Sequence, residues 1–442
     1  MERIESSDIV KIKYPRMLYS FILLAALCIF GGGNKALSIV VLVAFAPLIL
    51  TPEYLLGPLL FSSIWSGYIL VAGSQSLARY LTIFFLIGVL IKMINKGTPL
   101  KVDFWFKTTI AAILLGVALS FWGIHDYISF PWSYVLNLLL FLAMLYCPIT
   151  SKELLVRQIW LFACLSIAYA YWFLLRNGLN AFEVGKISTE DGVNSNSIGK
   201  GVCVIGIIIL AHFIISGLRG KFIHVALILV SLFLIFLTGS RTSLVAILIS
   251  GIITVLFYMK LNARRIMKAI LLIILIIGGC YFVYQNLLEA LPVLMSRFTL
   301  EDTLSDGGTG RVDVWKAYIT EYLPDYWLLG TGFDPLNLFR AVERVNGIGH
   351  GAHNHIIDIL ASTGIVGLVL YSWMHIKGLS IGAKYSRKDI TMILPWSMLI
   401  ATLFLGIGEN VLRGKLLWFS LALIIMLRNI IDKEYSESEE EI

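Results

Sequence analysis

Charge is scarce in this chain: 14% of its 442 residues are Asp, Glu, Lys or Arg, where a soluble domain carries roughly 25%. With 58% apolar residues and a mean hydropathy of +0.85, that shortage excludes a soluble globular enzyme and points to a membrane protein. Long polar stretches are missing too. At about 20 apolar residues per crossing, fourteen crossings take about 280 positions and leave about 160 for connections. One membrane domain over residues 1–442 therefore leaves no room for a second, large soluble one. Cysteine is sparse, and Cys28, Cys147, Cys164, Cys203 and Cys280 lie in or beside apolar runs without the paired spacing of a metal site, so they read as packing residues. No internal repeat stands out. The acidic end, residues 432–442, is the single low-complexity stretch and reads as a solvated cytoplasmic tail.

The formal charge of +7 records topology in a membrane protein before it records an anionic partner, so no nucleic-acid partner is expected. Apolar runs number fourteen, or twelve if the hairpin around Gly31, Gly32 and Gly33 is re-entrant. They include 36–51, 54–73, 198–216, 242–259, 267–286, 355–376, 390–408 and 416–431. With the N-terminus inside, 22 of the 35 Lys and Arg fall in inner segments, and the positive-inside rule then puts both termini in the cytoplasm. No small-residue cleavage site follows the first run, so the first helix is expected to stay. The expected fold is an all-α polytopic transmembrane bundle of 12–14 spans. It carries one long extracytoplasmic loop, residues 287–354, containing a short amphipathic helix.

Within that loop, Trp315, Tyr318, Ile319 and Tyr322 recur at helical spacing, which predicts a helix over 311–323 whose aromatic side faces membrane or bundle and which Pro324 ends. Three polar groups lie at the expected outer rim. Arg241 follows Thr238, Gly239 and Ser240; Arg311 follows Gly310; His353 and Asn354 open a span together with His355. Taken singly, each arginine reads equally as a side chain snorkelling to headgroup phosphates. Their gathering at one face argues for a site. Lys200, Arg413 and Lys415 read as solvated loop charge or phosphate contacts. His212, His224 and His375 read as structural residues near inner ends.

The run His353, Asn354, nine residues, Gly364, two residues, Gly367, Leu368 resembles the signature of the bacterial O-antigen ligase and O-antigen polymerase superfamily. Gly310, Arg311 and Trp315, then Gly330 and Gly332, are similar to that family's outer loop. Gly239, Ser240 and Arg241, and Asn194 and Asn196 before the span at 198, look like further parts of its pattern. The resemblance covers about residues 190–420. It implies glycan transfer at the outer face of the bacterial inner membrane, from an undecaprenyl-diphosphate-linked donor, by an inverting reaction without metal or other cofactor. The acceptor is lipid A core in a ligase and another lipid-linked repeat unit in a polymerase.

The residues fit that chemistry. Two guanidinium groups, Arg241 and Arg311, can clamp a departing diphosphate with charge-assisted hydrogen bonds. The loop contains no Asp-x-Asp motif, so arginine in place of a divalent ion is the simpler reading. A neutral imidazole suits removal of the acceptor hydroxyl proton, and His353 is the candidate base. Asn354 orients that base or the sugar, and Trp315, Asn196 and Arg413 complete the candidate substrate-binding set. Asp358, one turn beyond Asn354, reads equally as an unrelated polar residue, and Gly364 and Gly367 as positions of close helix packing. A competing class, a polysaccharide-lipid transporter or flippase, should carry ionisable groups at mid-membrane and broken helices in related halves. Most spans here are free of charge, which favours the enzyme. A structural membrane subunit would leave Arg241, Arg311 and His353 unconnected.

Overall fold

The structure is a computed structural model and describes residues 7–30, 35–65, 69–71, 75–96, 104–122, 132–149, 151–176, 195–217, 221–258, 311–333 and 352–440. The expected span at 267–286, residues 287–310 and 334–351 of the long loop, Asn194 and the Arg311 side chain lie outside the described residues.

Among the described residues the chain is helical apart from one two-residue antiparallel pairing, β1 (Leu70–Val71) with β2 (Gln75–Ser76), as lipid requires of a backbone that must satisfy its own hydrogen bonds. Five helices are long and apolar enough to cross a membrane: Leu77–Asn95, Lys152–Phe173, Asn196–Ser216, Arg241–Tyr258 and His355–Ser386. Shorter apolar helices accompany them. Several serines and threonines inside the helices return their hydroxyls to the preceding turn, as Thr82 does to Ala78 O and Thr402 to Met398 O, so those polar groups cost little in an apolar interior.

In chain order the helices are α1 (Ser7–Phe30), α2 (Lys35–Ala44), α3 (Leu56–Ile64), α4 (Leu77–Lys96), α5 (Phe104–Trp122), α6 (Trp132–Leu145), α7 (Lys152–Arg176), α8 (Ser195–Ser216), α9 (Lys221–Leu237) and α10 (Arg241–Tyr258). After the loop come α11 (Arg311–Ala317), α12 (Leu323–Tyr326), α13 (His355–Ser386), α14 (Ile393–Leu405) and α15 (Lys415–Glu440). Helix α8 is the hub, packed against α7, α9, α10 and α14. The runs 36–51 and 54–73 do not form two continuous spans. Pro47 and Pro52 each open a 3-10 turn (Ala46–Leu50, Pro52–Leu55), because a ring nitrogen without a hydrogen cannot continue the α-helical ladder. The fully buried α3 that follows packs against α7.

The run 355–376 departs from a single crossing. Gly364 has φ 62° and ψ −166°, and the ring centroids of His355 and His375 are 5.2 Å apart. Twenty residues of straight helix would separate them by about 30 Å. The chain therefore folds back at Gly364 into a hairpin, with residues 355–363 beside residues 365–375. Only glycine takes this turn without strain, and a Cβ here would collide with the backbone of Leu328 and Leu329. His375 accordingly lies against His355, not at an inner end.

A helix break frees backbone groups that must find partners. The strap after the loop helix supplies them: Thr331 N and Gly332 N donate to Ala361 O and Ser362 O at 3.1 and 2.7 Å, while Ile365 N and Val366 N donate to Trp327 O and Leu328 O. Phe333 then anchors the strap, its N–H on Ser120 Oγ at 2.7 Å and its ring stacked on Tyr134.

The loop helix is longer than expected. Pro324 does not end it; α11 passes through a π-turn (Tyr318–Tyr322) into α12, the wider turn making room for a residue that cannot donate to the preceding turn. Its aromatic side faces the hairpin: Tyr318, Tyr322 and Val314 are buried with Ala352 and Ala361, and Trp315 packs against them. Ile319 instead points outward.

Candidate glycan-transfer site

The first turn of α13 is tied to the loop that follows α14. His355 N donates to Gly406 O at 2.7 Å, and Asn354 Nδ2 to Ile407 O at 3.3 Å. Asn354 also caps α13, its Oδ1 accepting from Ile356 N and Ile357 N, which satisfies two amides left open at a helix start. Nine residues separate this point from the hairpin tip, so it lies about 14 Å back from Gly364 along the arm.

Among the described residues, His353 is the one non-glycine residue with positive φ, at 48°. A left-handed backbone at such a residue costs about 1–2 kcal/mol and persists where the surroundings impose it, commonly at functional positions. The turn carries the imidazole to Glu409: Nδ1 lies 3.5 Å from Glu409 Oε2, and the same oxygen is 2.8 Å from Lys200 Nζ. Burial works against ionisation of the Glu409 carboxyl, yet His353 and Lys200 more than offset it and hold its pKa down to about 2, so Glu409 is a carboxylate at neutral pH. Glu409 and Lys200 are mostly shielded while His353 is 43% exposed, leaving the imidazole open to a reactant.

One turn along α13, Asp358 is buried with His353, Glu409 and Arg413 as charged neighbours and the Asn410 side chain as a hydrogen-bonding neighbour. Asn410 also braces its own loop, Oδ1 accepting from Leu412 N and Arg413 N. Asn137 Nδ2 donates to Arg413 O and Trp418 Nε1 to Leu412 O, so the segment bearing Glu409 and Arg413 is held from α6 and α15. Asp358 thus belongs to the surroundings of the site.

The other sequence-derived residues arrive by separate routes. Arg241 opens α10 after Gly239, whose φ is 63°, and the Ser240 and Ser243 hydroxyls bond at 2.8 Å. Residue 199 must be small because a Cβ there would press on Thr238, Ser240 and Ser243. That contact sets the Arg241 turn against the residue preceding Lys200. Asn196 lies one turn before Lys200 on α8. Arg311 begins α11, one turn before Trp315, whose Nε1 donates to Ala352 O at 2.7 Å. Arg413 is exposed.

Sequence alone does not mark Glu409 or its ion pair with Lys200, and Lys200 is not a solvated loop charge. One signal was present: Glu409 is the sole acidic residue between the last two apolar runs, at a rim otherwise bearing Arg413 and Lys415. Among the described residues, no three His, Cys, Asp or Glu side chains gather in a way that could hold a metal ion.

No curated protein matches the chain. Residues 225–372 match the family model described as O-Antigen ligase, a stretch that runs from α9 through the Arg241 turn and the loop helix to the hairpin. The match supports a function of the O-antigen ligase or polymerase type, that of a membrane glycosyltransferase acting on lipid-linked glycans. The chain is a multi-pass membrane protein that carries a domain of the O-antigen ligase and polymerase superfamily.

Proposed function

We propose that this protein is an O-antigen ligase: it moves a glycan from undecaprenyl diphosphate to a hydroxyl of lipid A core at the outer face of the bacterial inner membrane. The observation that carries this reading is His353, half-exposed in a left-handed turn and set against a carboxylate, inside a segment matching the O-antigen ligase family. His353 takes the proton of the acceptor hydroxyl as its oxygen bonds to the anomeric carbon of the donor sugar. The bond from that carbon to the phosphate oxygen breaks, and its electron pair leaves with undecaprenyl diphosphate. Attack opposite the leaving group inverts the anomeric centre.

Arg241 and Arg311 clamp the diphosphate as charge develops on it, in place of a metal ion. Asn354, Trp315, Asn196 and Arg413 line the path of donor and acceptor. The whole chain acts as one membrane domain, with loop 287–354 outside and the acidic tail 432–442 inside. A C-terminal tail on the side away from the site is supported by the ion pairs of Lys152 with Asp389 and Glu434. They gather at the end of α14 opposite Gly406, and 13 residues of helix set them about 20 Å from the site.

Deletion of the protein followed by glycan analysis tests the reaction. Free lipid-linked polymer beside bare core is the expected result. Single repeat units attached to core would instead identify a polymerase joining lipid-linked repeats, and unflipped donor accumulating on the inner face would identify a flippase. Replacing His353 by Ala should leave the protein inserted and abolish transfer; full transfer by this variant would overturn the assignment of the base.

A further inference from the structure

We propose that Glu409 is the positioning residue for His353, and that Lys200 holds Glu409 in place, so that three residues from α8, the loop after α14 and the start of α13 act as one relay. The inference rests on His353 being the base of the proposed transfer.

The geometry fixes the tautomer. A carboxylate has no proton and can only accept a hydrogen bond, and Glu409 is held ionised down to about pH 2. The imidazole nitrogen facing it at 3.5 Å is Nδ1, so Nδ1 carries the hydrogen. Nε2 keeps the lone pair that receives the acceptor's proton. As that proton arrives the ring becomes an imidazolium, and the Glu409 charge stabilises it in a shielded setting where such an interaction is strong. The proton then passes to water, to which His353 is open. Lys200 lies on the same Glu409 oxygen at 2.8 Å, offsetting the cost of keeping that carboxylate charged and shielded. It acts on His353 through Glu409.

The arrangement also links the site to its surroundings. Lys200 follows Gly199, the residue against which the turn bearing Arg241 packs, and Glu409 precedes Asn410, which neighbours Asp358. Base and clamp are thereby referred to one helix, α8.

The test uses the purified full chain with an undecaprenyl-diphosphate-linked oligosaccharide and lipid A core. Glu409→Gln is nearly isosteric but uncharged, and should lower kcat by about 10²–10⁴-fold, the range for loss of a carboxylate that orients a catalytic imidazole. The KM for the donor should stay within about threefold. Glu409→Asp should recover part of the lost kcat. Lys200→Met should lower kcat less than Glu409→Gln, and adding it to Glu409→Gln should cost nothing further, because a residue acting through another has no separate effect once that other is gone. Wild-type kcat in Glu409→Gln, or equal factors from Lys200→Met in both backgrounds, would overturn the relay. Should Glu409→Gln fail to fold, Lys200→Met against Glu409→Ala, which also lacks the carboxylate, gives the same comparison. Full activity in His353→Ala would sink the base assignment, whereas an inactive His353→Ala beside a fully active Glu409→Gln would sink the relay alone.

Discussion

The indole nitrogen of Trp315 donates a 2.7 Å hydrogen bond to the carbonyl of Ala352, the residue immediately before His353. The loop helix thereby sets the position from which the left-handed turn of His353 begins. Replacing Trp315 by Phe keeps an aromatic ring and removes the donor. Loss of one such bond costs about 1 kcal/mol. We expect a modest fall in the thermal midpoint of the detergent-solubilised protein and a drop of about fivefold in transfer, the rate equivalent of about 1 kcal/mol. Unchanged transfer in a glycan ladder assay would show that the indole does not position the base.

Gly364→Ala probes the hairpin. The substituted residue would have to hold φ 62° and ψ −166°, a region essentially reserved for glycine that costs about 1–3 kcal/mol, and its Cβ would meet the backbone of Leu328 and Leu329. The strap from Trp327 to Phe333 should detach, with lower yield of folded protein and loss of transfer. A variant as stable and as active as the parent would contradict the fold-back at this glycine.

Arg241→Ala and Arg311→Ala should each insert normally and fail in transfer by at least about a hundredfold, as expected when a group stabilising developing charge is removed. Lysine at either position should restore little, because a point charge lacks the forked donors of guanidinium. The same ladder assay reads the result, and near-normal polymer on core in Arg311→Ala would remove the clamp.

Glu409 makes stability depend on acid. Its carboxyl is held at about 2, below the ordinary glutamate value of about 4.3, so the folded state favours the charged form. That contribution is fully present above the ordinary value and is lost as pH falls through the folded one. The difference in thermal midpoint between the parent and Glu409→Gln should therefore be constant from about pH 6 to 8 and shrink below about pH 4.5. A difference that grew with acid would contradict the ion pairing at this site.

Much of the proposed site is legible in the sequence because its candidate residues announce themselves chemically. Charged residues are rare in this chain, so Arg241 and Arg311 at the ends of apolar runs, and His353 and Asn354 ahead of one, stand out. Glu409 did not, because one carboxylate among cations at a loop is ordinary until the loop is folded against its partner. Lys200 and Glu409 are 209 positions apart in the chain, and no local pattern records that α8 and the loop after α14 meet. The loop helix is legible in its aromatic spacing, but its length is not, since the π-turn that carries it past Pro324 depends on packing against the hairpin.

Composition alone determined that the chain lives in a membrane and is helical there, because lipid cannot hydrate backbone and so many apolar residues admit no other solvent. Tertiary structure decided that the run after Asn354 turns back at Gly364, since apolar pattern is the same for a straight span and for a hairpin. The difference lies in whether another segment arrives to satisfy the backbone groups freed at the break. The Thr331–Gly332 strap does so at Ala361 and Ser362, and with it the place of His353 against Glu409 is set.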